Sequence, residues 1–206
     1  VTPASATQPR RPYQPWAGIL LLAGGGDSTF HQLQLEALQR NYRGLTFQVE
    51  YSWNRSLDNT PLVGGPEDPY NNRRDRGNSQ GIRRHVFAAA SSYELPFGPG
   101  KPLANVGGAL GKIIGGWQVS GITTLTTGSP FSVGFSSTVP GWTGGRPDVL
   151  RDPTLSRSER SRDRWFDTSA FAVPAPFTYG NSSLNLLFGP GAIGVDLSLR
   201  KLDGSA

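Results

Sequence analysis

The chain has 206 residues, a formal charge of +5 and 36% apolar side chains, with a mean hydropathy of -0.36; it is long enough for one domain but poor in material for a large apolar core. Its 27 Gly and 17 Pro come to about a fifth of the residues without any collagen-like period, so much of the chain is turn and loop. Because Cys and Met are both absent, a disulfide framework, a thiolate nucleophile and a Cys-based metal site are excluded.

The chain opens at Val1-Thr2-Pro3-Ala4-Ser5 without Met and closes on Asp203-Gly204-Ser205-Ala206, which reads as a fragment. Arg10 and Arg11 followed by Trp16 to Ala23 mimic a secretory signal, but Pro12 and Pro15 interrupt it and the apolar run is short. Nothing approaches the apolar length of a membrane-crossing helix, so any membrane assignment must come through strands. Basic residues gather at Arg73, Arg74 and Arg76, at Arg83 and Arg84, and between Arg157 and Arg164. Acidic residues are interleaved with them, which describes solvated loops and not the clustered basic face that nucleic acid requires.

In chain order, Gly24-Gly25-Gly26-Asp27-Ser28 is a turn: it lacks the Lys of a phosphate loop and precedes a strand. Leu33, Leu35 and Ala37 then alternate with Gln32, Gln34 and Glu36, and Arg40 to Gly44 joins this run to the next as a hairpin. From Leu45 to Asn54 the period of two is unbroken, with Leu45, Phe47, Val49, Tyr51 and Trp53 on one side and Thr46, Gln48, Glu50, Ser52 and Asn54 on the other. A third strand is expected over Arg84 to Leu95, blurred by three alanines. A fourth spans Trp117 to Thr127, with Ile122 and Thr123 out of step, and a fifth covers Ile193 to Leu199.

Arg55 to Arg83 and Gly128 to Ala192 are loops, or loops carrying extra short hairpins. Pro96 to Gly116 is a connection of medium length in which Leu103 to Ile114 has the content for a short helix or extension. Connections that run short, long, medium, long suit the wall of an outer-membrane barrel, with turns on one rim and loops on the other. Strand lengths suit a tilted crossing of about 9 to 11 residues. Tyr51, Trp53, Tyr93 and Trp117 lie near strand ends on the apolar side, as interfacial girdles require. The expected fold class is therefore all-β: an antiparallel transmembrane β-barrel fragment, an incomplete arc with long loops. Five strands cannot close, because bacterial barrels have about eight or more.

No catalytic constellation emerges, and the chain is not expected to be an enzyme or to hold a cofactor. His31 and His85 have no other ligand-type side chain at metal-binding spacing. Asp163 and Asp167 flank Arg164-Trp165-Phe166 and could be imagined as a glycosidase pair, but in an Arg-rich loop they are read as ion-pairing groups. Ser28 and Ser129 lack a nucleophile-elbow setting. The sequence assigns no catalytic, cofactor-binding or metal residue and singles out no substrate-binding residue. The alternative to a barrel is a soluble or secreted β-sandwich that binds carbohydrate through exposed aromatics such as Trp142 and Trp165.

Several blocks, taken in order, resemble the barrel of TonB-dependent receptors of the Oar-like kind. They are Arg10-Arg11-Pro12-Tyr13, Arg43-Gly44-Leu45-Thr46-Phe47, Tyr51 to Asn59, Asp68-Pro69-Tyr70-Asn71, Arg76-Gly77, Arg84-His85, Tyr93 to Gly98, Gly115 to Gly121, Thr127 to Phe131, Arg164 to Phe171, Gly189-Pro190-Gly191 and Asp196 to Leu199. The likeness runs from about Arg10 to Lys201. It departs where acidic residues would be expected between Gly77 and Arg84, since Gln80 and Ile82 stand there.

The resemblance implies that residues 1–206 are the C-terminal portion of a plugged transporter barrel of about 22 strands, without the plug, the TonB-contacting segment, the N-terminal carboxypeptidase-regulatory-like domain or the final aromatic-terminated strand. It places the parent protein in the outer membrane of a Gram-negative-type bacterium, taking up an unidentified solute. The implied partners are outer-membrane lipid, the plug and remaining strands, that solute, and the TonB energy-coupling complex through the N-terminal part only; no nucleic acid is expected.

Overall fold

The computed structural model describes residues 24–60, 65–139, 142 and 144–202. The signal-like stretch from Arg10 to Ala23, the first block of the family resemblance and the terminal Asp203 to Ala206 lie outside the described residues. The chain divides into a sheet unit, His31–Arg55, Arg83–Ser129 and residues from Pro190 onward, and a loop unit drawn from the described parts of Val1–Phe30, Ser56–Ile82 and Pro130–Gly189.

Twelve strands occur along the described chain: β1 Ser28–Tyr42, β2 Leu45–Asp58, β3 Gly77–Asn78, β4 His85–Glu94, β5 Trp117–Thr126, β6 Pro130–Phe131, β7 Phe135–Ser136, β8 Gly144–Gly145, β9 Asp148–Val149, β10 Phe171–Ala172, β11 Leu187–Phe188 and β12 Ala192–Lys201. The five long ones form one meander in the order β1-β2-β4-β5-β12. All five expected strands are present. β1 and β2 outrun their alternating cores, and Arg55 to Asp58, read from sequence as loop, continue β2 because Leu57 and Asp58 pair with Asn78 and Gly77 of β3.

The hairpin between β1 and β2 needs only Arg43 and Gly44, with φ of 51° and 84°. Positive φ at both central residues is the hallmark of the type I′ turn, whose twist matches that of the flanking strands. Gly44 meets this without steric cost, and its carbonyl accepts from the Glu94 N–H at 3.0 Å. The medium connection between β4 and β5 carries a helix, α1, over Gly108–Ile114, as expected. Trp117 Nε1 donates to the Ile113 carbonyl at 2.9 Å and ties the end of α1 to the start of β5.

Register is continuous across three pairings. Phe87 stands opposite Tyr51 and Leu125, and Leu125 opposite Ile193; at the other end Tyr93 faces Leu45 and Val119, and Val119 faces Leu199. Directly opposed residues share a face, so Leu45, Phe47, Val49, Tyr51, Trp53, Phe87, Tyr93, Val119, Leu125, Ile193, Val195, Leu197 and Leu199 all lie on one side. Ile122 and Thr123 do not shift the register: Ile122 pairs with Ala90 and Asp196 on the polar side, and Thr123 with Ala89 and Val195 on the apolar side.

Tyr51, Trp53 and Phe87 lie toward one end of the apolar face, and Tyr93 and Trp117 toward the other. The hydroxyl of Tyr51 is 2.8 Å from His85 Nδ1, which gives this ring a polar partner at the strand end. On the opposite face Thr46, Ser92, Ser120 and Ser198 form a row, next to Glu94, Gln118 and Arg200. Gln48 Nε2 donates to Glu36 at 3.1 Å and to Glu50 at 2.7 Å.

Among the described residues of the sheet unit, none builds a buried core on the apolar face. Ile193 and Leu197 are 79% and 78% exposed, and the buried hydrophobic residues among those described, Leu155, Ala170 and Leu187, all belong to the loop unit. A soluble sandwich would bury this face against a second sheet; the remaining β-pairs, β6 with β11, β7 with β8 and β9 with β10, are each two residues long. Only β7 with β8 is a short hairpin of the kind expected inside the long connection; β6 with β11 and β9 with β10 instead tie together segments distant in the chain.

Candidate functional site

The loop unit is organised by a buried ion network. Asp75, fully buried, accepts from Arg146 Nη1 at 2.6 Å, and its second oxygen accepts from the Glu67 N–H at 3.1 Å. Arg146 also donates through Nε to the Ser182 carbonyl at 3.0 Å and through Nη2 to the Arg74 carbonyl at 3.0 Å. Glu67 closes the set: its Oε2 is 2.7 Å from Arg146 Nη2, and its Oε1 accepts from the Arg146 N–H at 2.8 Å. Arg74 lies 3.8 Å from the same carboxylate, with its guanidinium 4.8 Å from the centre of the Tyr179 ring.

Burying a charge is costly unless it is paired and hydrogen-bonded. Here one guanidinium spends its donors on Asp75 and two carbonyls, while a carboxylate caps it from the other side. Three segments, Glu67 to Asp75, Arg146 and Gly180 to Ser182, are thereby joined. Asn78 and Asn185 add a reciprocal clasp, each side-chain amide donating to the other's carbonyl at 2.8 and 2.7 Å.

Beside this network lies a concavity of about 300 Å³ lined by Glu67, Arg146, Phe135, Trp142, Phe177 and Tyr179 among others. β8 needs glycine at Gly144, whose φ is 110° and where a Cβ would run into the backbone carbonyl of Phe135. On the same β7–β8 pair, Phe135 packs against Trp142 with ring centres 5.2 Å apart and edge to face. Trp142 also meets Phe177 at 6.4 Å.

The residues singled out in the sequence are dispersed. His31 lies in β1 and His85 in β4. Asp167 pairs with Arg151 at 2.9 Å and accepts from the Ser169 N–H ahead of a single 3-10 turn, Thr168–Ala170, while Asp163 is exposed on the loop. Trp165 is tied in place: its Nε1 donates to the Phe188 carbonyl at 2.7 Å and Arg160 lies over its ring at 5.4 Å. Of the two aromatics considered for ligand contact, only Trp142 reaches the concavity. Arg76, close to the departure from the family pattern, pairs with Asp27 at 2.6 Å. Glu67, Asp75 and Arg146 escaped sequence reading because no spacing links residues some seventy positions apart; the acid between Arg74 and Arg76 is the one local hint.

A family model described as "Outer membrane beta barrel domain" matches residues 1–202. The chain belongs to this outer-membrane β-barrel family. No curated protein and no solved structure matches it. The open antiparallel sheet is thus an arc of barrel wall, the protein resides in the outer membrane, and this membership replaces the soluble-sandwich alternative.

Two outcomes follow for the barrel's loop unit. Arg146→Met leaves Asp75 buried without its cation and is expected to cost about 3–5 kcal/mol, whereas Arg151→Met, at a pair whose Arg side chain is 55% exposed, costs about 0–1 kcal/mol. Limited proteolysis of the full-length protein should therefore cut the first variant far faster within residues 67–185; equal rates would contradict the ranking.

The second outcome concerns acid. The Ser169 hydroxyl and then Arg151 hold the Asp167 carboxyl below its ordinary range, Thr154 does so for Asp152, and Ser156 for Glu159. A carboxyl lowered in the folded state contributes stability above its unfolded value and loses it as pH falls through the folded one. Amide protection at Thr154 and Ser169, corrected for intrinsic exchange, should hold from neutrality to about pH 5 and fall below about pH 4. Protection that rises on acidification would contradict this.

Proposed function

We propose that this barrel chain serves a TonB-dependent receptor that takes up a solute across the outer membrane without chemically altering it. The observation that carries the reading is the ordered series of receptor-like blocks, Arg43 to Phe47 through Asp196 to Leu199, set on a sheet with one predominantly apolar and one predominantly polar face. In this reading the apolar face meets lipid, the polar face lines the lumen, and the connections Asn59 to Arg84 and Thr127 to Gly191 receive the solute. The plug and the TonB complex act through the N-terminal part of the parent protein. No enzymatic step and no nucleic acid is involved.

The wall assignment predicts opposite responses on adjacent residues of β12. Val195→Arg, on the apolar face, should destabilise the membrane-inserted protein by about 2–4 kcal/mol, while Asp196→Asn on the polar face should be tolerated. Heat-modifiable migration after urea titration in lipid vesicles measures both, and equal midpoints would sink the assignment.

Uptake itself is tested by mass spectrometry of spent medium from three strains: wild type, one lacking the gene for the parent protein, and one lacking TonB. The same solute should remain unconsumed in both deletion strains. Identical depletion in all three would refute receptor function.

A further inference from the structure

We propose that the aromatic concavity of the loop unit is a binding site for a neutral carbohydrate, with Trp142 and Phe177 as its stacking surfaces. Phe177 is 57% exposed and Tyr179 50% exposed, so neither ring is there to fill a core. Phe177 is also held at a φ of 62°, a conformation disfavoured for any residue carrying a side chain. It persists because Thr178 folds back on Ala175, its N–H and its hydroxyl both donating to the Ala175 carbonyl at 3.1 and 2.6 Å. An exposed aromatic maintained against its backbone preference, beside a second aromatic, is the kind of outlier that marks a ligand contact.

The charge at the floor selects among ligands. Glu67 and Asp75 are balanced by Arg74 and Arg146, and the guanidinium of Arg146 is committed to protein partners. Neither a cation nor an anion finds an uncompensated charge there. A planar ligand would want a parallel slot, whereas the rings of Trp142 stand at 62° to Phe135 and 42° to Phe177. A pyranose fits this geometry better: its C–H faces lie against the negative faces of tilted rings, and its hydroxyls can pair with the Tyr179 hydroxyl at the rim. About 300 Å³ falls at the lower end of ligand cavities, suited to one or two sugar units of a longer chain.

The inference names the solute class of the proposed receptor, but its test is independent of transport. Full-length protein purified in detergent is titrated with maltotriose, cellotriose and xylotriose, with choline and glucose 6-phosphate as charged contrasts. At least one trisaccharide should saturate below millimolar concentration and the charged probes should not. Trp142→Ala and Phe177→Gly should each weaken that binding by roughly tenfold or more. Phe177→Gly also relieves the positive φ, so it removes the ring while heat-modifiable migration stays unchanged, and it decides the matter should Trp142→Ala fail to fold. The proposal is overturned if no trisaccharide saturates, if a charged probe binds more tightly, or if Phe177→Gly binds like wild type. Sugar binding with TonB-independent depletion of the medium would refute the receptor reading and leave this site standing; loss of sugar binding with TonB-dependent uptake would do the reverse.

Discussion

The unbroken antiparallel register from β2 to β12 is the constraint on which the rest of this protein depends. A slip of one residue in any pairing would turn that strand's apolar set to the opposite face; with Tyr51, Phe87, Leu125 and Ile193 in one row, the apolar residues of four strands add to one continuous surface. Backbone hydrogen bonding satisfies the inner strands β2, β4 and β5 from both sides, leaving β1 and β12 as the open edges of the arc. The side chains then sort by environment alone, and Gly121, opposite Leu197, leaves that side chain room to lie across the strand, since a Cβ there would meet Leu197 Cδ2 at 3.0 Å.

Because the sheet unit holds no buried hydrophobic residue among those described, its order comes from strand pairing and from its surroundings. The loop unit solves the opposite problem. It has long, Gly-rich and Pro-rich connections with little apolar content, and it is held by polar pairing: buried Asp75, Ser79, Arg146, Ser182 and Asn185 outnumber the buried hydrophobic residues. A polar core of this kind is demanding, because each buried group must find its partner, and in return it fixes loop positions that apolar contacts alone would leave loose. The same network supplies a rigid, charge-balanced floor beneath Trp142.

Strand positions were legible because alternation is a local property, set by residues two apart, and the runs at Leu45 to Asn54 and Ile193 to Leu199 are scarcely interrupted. The type I′ turn was half visible in Arg43-Gly44, where glycine signals positive φ but its partner Arg does not. Strand ends were less legible: Arg55 to Asp58 looks like loop until β3 arrives to pair with it, and no feature within the segment announces that partner. Trp142 could be noted as a solitary aromatic, yet nothing local distinguishes it from Trp165, which the fold uses as an anchor on the Phe188 carbonyl.

By itself, then, the sequence determined the period-two strands, their alternating short and long connections, and a family resemblance expressed as blocks in order. Tertiary structure alone decided which acids meet which arginines and where the aromatics converge. The physical reason is range: backbone alternation acts across about two residues, whereas the Arg146–Asp75 pair closes across 71 positions and the Asn78–Asn185 clasp across 107. Such contacts exist only once the chain has folded back on itself.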